Sequence, residues 1–267
     1  MEEASVRLDQ LEGDVPWEGR SFWQRHATHA VNHLFFQASG GRARPAFYDI
    51  DETFPALRLL DENAKVIREE LDAILPESQR FPSYQDIDDA QREVAAEGRG
   101  DWKVFVLYAM GAKPERNRAA CPRTAALLDR IPDLFQAMFS ILEPGKSIPP
   151  HRTGWMGYLR YHLPLIVPRH DPPSIRVKDR WHTWQEGESI LIDDSWEHEV
   201  RNESDGVRVV LIVDVLRPMP RYAHLANKLM ALGARRVYAK GLLEKLERHA
   251  GASKEADREG RPPRSEP

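Results

Sequence analysis

Cysteine is nearly absent from this sequence, which has only Cys121 among its 267 residues. An intrachain disulfide and a metal site built from several cysteines are therefore excluded. Long apolar runs are also missing: stretches such as 209–213 fall far short of the ~18 residues of a membrane-spanning helix. Nor is there an excess of basic residues, because 38 Lys and Arg and 42 Asp and Glu give a net charge of −4. This balance argues against sequence-independent nucleic-acid binding.

The N-terminus opens with Glu2 and Glu3 and has no apolar core, unlike a secretory signal. We therefore expect a cytoplasmic protein. Hydrophobic residues make up 41% of the chain and charged residues 30%, which is ordinary for a soluble globular protein. The length favours one main domain with helical additions.

Residues 1–100 are predicted to form a helical region that packs on the core. One apolar stripe recurs there at three- and four-residue spacing, which is typical of a helix. Its members are Phe54, Leu57, Leu60, Ala64, Ile67, Leu71 and Ile74. We expect this helix to begin near Thr53 or Pro55 and to end at Pro76.

Residues 101–218 are predicted to form a β-rich core. Many short apolar runs, each bounded by Pro, Gly or Asp, indicate an antiparallel sandwich or barrel rather than βαβ units. The predicted strands are Lys103–Met110, Met138–Leu142, Trp155–His162, Leu163–Val167, Ser174–Val177, Ser189–Ile192 and Val207–Val215.

Residues 219–250 are predicted to form a basic amphipathic helix that packs on the barrel. Its expected apolar face consists of Leu225, Leu229, Leu232, Leu242 and Leu246. Contact of this helix with an anionic membrane surface is the alternative. The tail, residues 251–267, is rich in Glu, Arg and Pro and is predicted to be disordered.

Two histidines lie beside predicted strands, His151 at the entry of one and His198 just past another. Histidines on different strands of a β-sandwich can converge on one metal, and imidazole suits iron. On spacing alone the signal is weak, since any two of ten histidines can be paired. Arg208 follows ten residues after His198, inside a very apolar strand where an unpaired charge is costly. It either binds a ligand carboxylate or faces solvent.

Several motifs occur in a fixed order: DWKVF at 101–105, FSILEPG at 139–145, HRTGWMGYLRYHLPLIVP at 151–168, TWQEG at 183–187 and DDSWEHEV at 193–200. In this order they resemble the aspartyl/asparaginyl β-hydroxylase family, whose first motif corresponds to the third run and whose second motif corresponds to the last two. The resemblance covers about residues 100–218, with fainter similarity in Phe47–Arg68.

The resemblance implies a double-stranded β-helix (jelly-roll) core and a dioxygenase dependent on Fe(II), 2-oxoglutarate and O2. It implies His151 and His198 as iron ligands and Arg208 as the partner of the distal 2-oxoglutarate carboxylate. The residues implied to line the cosubstrate pocket are Trp102, Ser140, Arg160 and His162. Arg160 and His162 are two apart on a strand and therefore share a face.

Thr153 stands two residues after His151, where the wider superfamily has a carboxylate ligand. The resembled hydroxylases lack that carboxylate, so water or Thr153 is expected at the third metal position. Asp194 is either a residue that orients this site or a turn residue bonded to its own backbone. His26, His29 and His33 share one helical face, for which an amphipathic helix is the preferred interpretation over a metal site.

These observations predict a hydroxylase of an unactivated C–H bond. Its substrate is expected to be an Asp or Asn residue, an amino acid, a peptide or a biosynthetic intermediate. One alternative is a lipid acyl-chain hydroxylase at a membrane surface. Others are a non-catalytic metal-binding barrel and a halogenase that binds chloride beside the metal. No nucleic-acid partner is expected.

Overall fold

The computed structural model describes residues 22–87 and 99–258. The helices are α1 (Phe22–Ala38), α2 (Ile50–Thr53), α3 (Arg58–Glu62), α4 (Ala64–Ile74), α5 (Tyr84–Ile87), α6 (Glu115–Ala120), α7 (Pro122–Leu128) and α8 (Arg221–Arg258). The strands are β1 (Phe47–Tyr48), β2 (Trp102–Ala109), β3 (Leu134–Leu142), β4 (Ile148–His151), β5 (Tyr158–Ile166), β6 (Ser174–Val177), β7 (Arg180–Thr183), β8 (Ile190–Ile192), β9 (His198–Arg201) and β10 (Arg208–Leu216).

These strands form two antiparallel sheets. The larger has the order β1-β8-β5-β10-β3-β2, and the smaller has the order β4-β9-β6-β7. Neighbours within a sheet are mostly distant in sequence, as in a jelly roll. The prediction of a mainly β protein with a jelly-roll core and flanking helices is confirmed.

Both faces of the larger sheet are covered, and β10 shows this most clearly. Val210 and Ile212 pack in a core between the two sheets, together with Val177 and Val200 of the smaller sheet. The alternate residues of β10 pack in a second core that includes α3, α4 and α7; they are Val209, Leu211, Val213 and Val215. A strand buried on both faces reads as an unbroken apolar run, which is why the sequence of β10 is so apolar.

The apolar stripe of the N-terminal region is buried as predicted, but it is not one helix. Asp49 caps α2 by accepting a hydrogen bond from the Glu52 amide at 3.0 Å. Pro55 then begins a 3₁₀ turn, and Asn63 interrupts the helix again between α3 and α4. Thr53 therefore ends α2 and does not begin the predicted long helix. After α4 the chain continues as a 3₁₀ segment with Pro76 near its start.

Four short strands were not predicted from the sequence: β1, β4, β7 and β9. Their sequences are FY, IPPH, RWHT and HEVR, which lack a run of apolar residues long enough to indicate a strand. The two strands predicted over Trp155–His162 and Leu163–Val167 are a single strand, β5. Pro164 does not interrupt it.

The C-terminal helix differs from its prediction in two respects. Leu242 and Leu246 pack against the core between the sheets, whereas Leu225, Leu229 and Leu232 are exposed. The helix also continues to Arg258, beyond the expected start of a disordered tail. Among the helices of residues 22–87 and 99–258, none combines the length and hydropathy needed to cross a bilayer.

Candidate functional site

His151 and His198 lie side by side on neighbouring strands. His151 ends β4, His198 begins β9, and the two residues are direct cross-strand partners. Their ring centroids are 4.0 Å apart with the planes inclined at 51°. His198 also pairs with Val177, which places its side chain on the face that packs between the sheets. Both histidines are buried.

A backbone carbonyl orients each of these imidazoles. The Nδ1 atom of His151 lies 2.9 Å from the Pro149 carbonyl oxygen, and that of His198 lies 3.0 Å from the Trp196 carbonyl oxygen. A carbonyl only accepts, so each Nδ1 donates a proton and the neutral ring carries its lone pair on Nε2. Burial lowers the pKa of His198 to about 4. Neutral imidazole with a fixed Nδ1 donor is the form that binds metals.

The inner face of the larger sheet carries polar residues that the strand alternation aligns. They are Ser140 on β3, Arg160 and His162 on β5, and Arg208 and Asp214 on β10. His162 is directly opposite Ile212, and Ser140 is directly opposite Val210. The predicted shared face of Arg160 and His162 is therefore present, and it faces the interior.

Arg208 is a buried cation, with only 2% of its surface exposed. Its Nη1 donates to the Ser140 hydroxyl at 3.3 Å, and the Trp102 indole Nε1 donates to the same oxygen at 3.0 Å. Its guanidinium lies over the ring of Trp184 at 4.4 Å. Among the described residues, no carboxylate is paired with Arg208 or shifts its pKa, and its Nε atom has no hydrogen-bond partner. The alternative considered from the sequence, in which Arg208 faces solvent, is therefore wrong.

Burial lowers the pKa of Arg208 to about 9, so the guanidinium still carries its charge at neutral pH. A buried charge without a counter-ion is costly, and a ligand carboxylate would remove that cost. The arrangement around Arg208 is therefore suited to an anionic ligand.

His162 is a buried histidine whose protonation is opposed by its surroundings. Burial lowers its pKa well below the usual range, and the charges of Arg208 and Arg160 lower it further. Neither ring nitrogen has a partner among the residues that the structure describes. A buried neutral imidazole with two unsatisfied nitrogens indicates a place for a polar ligand.

Trp184 lies among the candidate site residues although it was not predicted there. It is almost fully buried, its ring centroid is 5.8 Å from that of His162, and its Nε1 lacks a partner among the described residues. Its only signal in the sequence was its place in the TWQEG motif.

Arg160 is paired with two carboxylates of the protein itself. Its Nε and Nη2 atoms donate to the two oxygens of Asp214 at 2.8 and 2.9 Å, and its Nη1 is 3.2 Å from Asp194. The two carboxylates raise its pKa well above the usual value against the effect of burial. This guanidinium is thus occupied by protein carboxylates, and a contact with the cosubstrate stays a prediction.

Thr153, which is partly buried, and Asp194, which is fully buried, form a polar cluster beyond His151. The Thr153 hydroxyl donates to Asp194 Oδ2 at 2.9 Å. The Tyr158 hydroxyl lies 3.2 Å from the Thr153 hydroxyl oxygen and 3.2 Å from Asp194 Oδ2. The other oxygen of Asp194, Oδ1, is buried without a partner among the described residues. The turn that was considered for Asp194 is formed by Asp193, whose Oδ1 accepts from the Ser195 amide at 3.2 Å.

Asp193 also anchors the segment that leads to His198. Arg44 donates to it at 2.8 Å and Arg217 at 2.7 Å, and all three side chains are buried. No spacing in the sequence links Arg44 to a residue 149 positions away.

The remaining candidates do not form a site. Within residues 22–87 and 99–258, no group of three or more His, Cys, Asp or Glu side chains is arranged to hold a metal. This excludes His29 and His33 from such a group, while the side chain of His26 lies outside the described residues. Cys121 is a buried structural thiol whose pKa is raised to about 12 by burial.

The fold and the paired histidines define a jelly-roll protein with a candidate metal site. The chain belongs to the aspartyl/asparaginyl beta-hydroxylase family, whose family profile matches residues 61–218. This match confirms the resemblance found in the motifs. It also supports the prediction that the protein is a hydroxylase.

Two relatives of this chain have names that state an activity. The chain is 42% identical over 184 residues to an ornithine lipid ester-linked acyl 2-hydroxylase of Rhizobium tropici, covering 68% of this chain and 64% of the relative. It is 30% identical over 204 residues to the aspartyl/asparaginyl beta-hydroxylase of Homo sapiens, covering 74% of this chain and 25% of the relative. The chain thus spans less than two thirds of the length of either relative.

Two solved structures show a limited similarity to part of this chain. A predicted oxalate decarboxylase of Thermotoga maritima matches 45% of this chain and 84% of its own, with 15% identity and a TM-score of 0.31. A Cupin_2 domain of an XRE family transcriptional regulator from Enterobacter cloacae matches 44% and 98%, with 13% identity and a TM-score of 0.31.

Proposed function

We propose that the protein is a hydroxylase dependent on Fe(II) and 2-oxoglutarate. The observation that carries the proposal is Arg208, a buried cation that lacks a carboxylate partner among the described residues and lies in the same interior as the His151–His198 pair. A dicarboxylate that chelates a metal at one end needs a fixed cation at the other. Arg208 supplies that cation in a water-poor setting.

The histidine pair fits iron by the chemistry of its donors. Each ring is held by a carbonyl at Nδ1, so Nε2 of His151 and of His198 would bind the metal. When bound, iron would supply the chemistry by which O2 oxidises both 2-oxoglutarate, to succinate and CO2, and an unactivated C–H bond, to an alcohol. The chain's contribution is to fix these donors and to exclude water around them.

The cosubstrate residues have separate tasks in this proposal. Arg208 pairs with the distal carboxylate, and the hydroxyl of Ser140 is held beside it by Trp102. His162 and Trp184 offer buried, unpartnered nitrogens along the same face. Asp194 Oδ1 is buried and has no partner among the described residues, so it can accept a hydrogen bond, and we assign it to a water at the third metal position.

For the substrate we propose the acyl chain of a lipid. The 42% identity to the Rhizobium tropici acyl 2-hydroxylase supports this choice. An aspartyl or asparaginyl side chain is the second candidate, favoured by the 30% identity to the human relative. Release of succinate from 2-oxoglutarate on addition of ornithine lipid, and not of an Asp-containing peptide, is the expected result; the reverse would favour the second candidate.

The cofactor assignment is tested by anaerobic titration with Fe(II) and then 2-oxoglutarate. A chelated 2-oxo acid gives a weak visible charge-transfer band. We expect this band in the unaltered protein and in His170→Ala, which changes an exposed histidine. His151→Ala and His198→Ala should bind no iron and give no band, with the fold retained by circular dichroism. Iron binding without a band would favour the non-catalytic barrel.

A further inference from the structure

An apolar stripe on the first turns of α8 is exposed. Of the six large hydrophobic side chains exposed in the described part of the chain, five lie in this one segment. Tyr222, Leu225, Leu229 and Leu232 follow each other at spacings of three, four and three residues, which places them on one helix face. Leu225 is 60% exposed and Leu229 is 62% exposed. We name these four residues the α8 stripe.

The same segment is strongly basic. Between residues 221 and 243 there is no Asp or Glu, although the whole chain has a net charge of −4. The cations of this segment are Arg221, Lys228, Arg235, Arg236 and Lys240. An apolar face flanked by cations is the pattern of helices that lie in the plane of an anionic bilayer surface.

The opposite side of this part of α8 holds the loop that follows His151. Asn227 donates through Nδ2 to the Gly157 carbonyl at 2.5 Å, and Ala223 packs with Met156. On the other flank, Asn32 of α1 donates to the Gly154 carbonyl at 2.8 Å. One face of the helix therefore contacts the loop between His151 and β5, while the other presents the α8 stripe.

We infer that the α8 stripe is the surface by which the protein docks on an anionic lipid bilayer. Charge complementarity decides between a bilayer and a second copy of the chain. A twofold contact through this stripe would bring one basic segment against another. A bilayer with anionic headgroups instead attracts the cations and accepts the leucines among its acyl chains.

This inference deepens the lipid-acyl assignment and rests on it for the identity of the substrate. A helix that binds the bilayer with one face and the histidine loop with the other brings the candidate active site to the membrane surface.

The test is flotation of the full-length protein with vesicles of phosphatidylcholine and phosphatidylglycerol, with pure phosphatidylcholine as the comparison. We expect binding to the anionic vesicles only, and weakening in ~1 M salt, where the Debye length is about 3 Å. The variant Leu225→Ser/Leu229→Ser/Leu232→Ser should bind at least about tenfold less. Arg221→Gln/Arg236→Gln should reduce binding several-fold.

The matched control is Lys65→Gln/Lys113→Gln, which removes two charges elsewhere on the chain and should leave binding unchanged. Binding by the triple serine variant equal to that of the unaltered protein overturns the inference, and so does failure of the unaltered protein to bind. A dimer in sedimentation that the triple variant converts to monomers also overturns it in favour of a second copy. The charge-transfer band is recorded on the same samples. Its absence alongside intact flotation would refute the cofactor proposal and leave the docking surface standing.

Discussion

Arg160 and Arg208 lie on neighbouring strands of one sheet and face the same interior, but their surroundings differ. Arg160 is held by both oxygens of Asp214 and by Asp194. Arg208 has a hydroxyl and an indole face for neighbours and no carboxylate among the described residues. The paired arginine stabilises the protein scaffold, whereas the unpaired one carries a cost that a ligand can repay. Function is therefore assigned to the site whose charges are incompletely balanced.

The largest change in stability should come from removing Arg160, the arginine that is paired with carboxylates. Arg160→Met leaves Asp214 and Asp194 buried without their cation and should lower the free energy of unfolding by ~3–5 kcal/mol. Arg208→Met should show no such loss, because it removes an uncompensated charge. Urea denaturation measures both, with the exposed Arg116→Met as control. Equal losses for Arg160→Met and Arg208→Met would abolish the distinction.

The pH dependence of stability sharpens the comparison. Burial lowers the pKa of Arg208 from its ordinary value to about 9 in the folded protein, so above about pH 9 the unfolded state binds more protons. Stability of the ligand-free protein should therefore rise with pH above about 9, by up to ~1.4 kcal/mol per pH unit, relative to Arg208→Gln. Below about pH 9 the difference should be flat. Unfolding at about pH 8 and about pH 10 tests this, and a constant difference at both would contradict it.

A smaller effect is expected at Trp184. Trp184→Phe keeps an aromatic face under Arg208 and removes the Nε1 donor, which should raise the 2-oxoglutarate requirement about two- to tenfold, from the ~0.5–1.5 kcal/mol of one hydrogen bond. Unfolding of the ligand-free protein should not change. A loss of stability with an unchanged requirement would make Trp184 a packing residue only.

Strand alternation and the motifs together allowed much of this site to be anticipated. One charge in an apolar strand drew attention to Arg208, while its role as a carboxylate partner was implied by the motifs and stays a prediction. The shared face of Arg160 and His162 followed from their spacing. The partner of Arg160 could not be predicted, because Asp214 lies 54 residues away and only the register between β5 and β10 aligns them. The same limit applies to Asp193 and Arg44.

The fold was anticipated in class and less well in its details. Long apolar strands such as β10 were recognised, while β4 and β9, which carry the two histidines, were missed because they are short and polar. The leucines of α8 that are exposed were predicted to be packed on the core. Periodicity identifies an apolar helix face but does not show which surface covers that face.

The central claim is that Arg208 binds the distal carboxylate of 2-oxoglutarate. The most direct test is anaerobic titration of the iron-loaded protein with 2-oxoglutarate, in which the charge-transfer band is measured for Arg208→Gln and Arg116→Gln. The unaltered protein and Arg116→Gln should saturate at the same concentration. Arg208→Gln should need roughly 10- to 150-fold more, equivalent to ~1.5–3 kcal/mol of a charge-assisted pair. Saturation of Arg208→Gln at the concentration of the unaltered protein would contradict the assignment of Arg208 as the carboxylate partner.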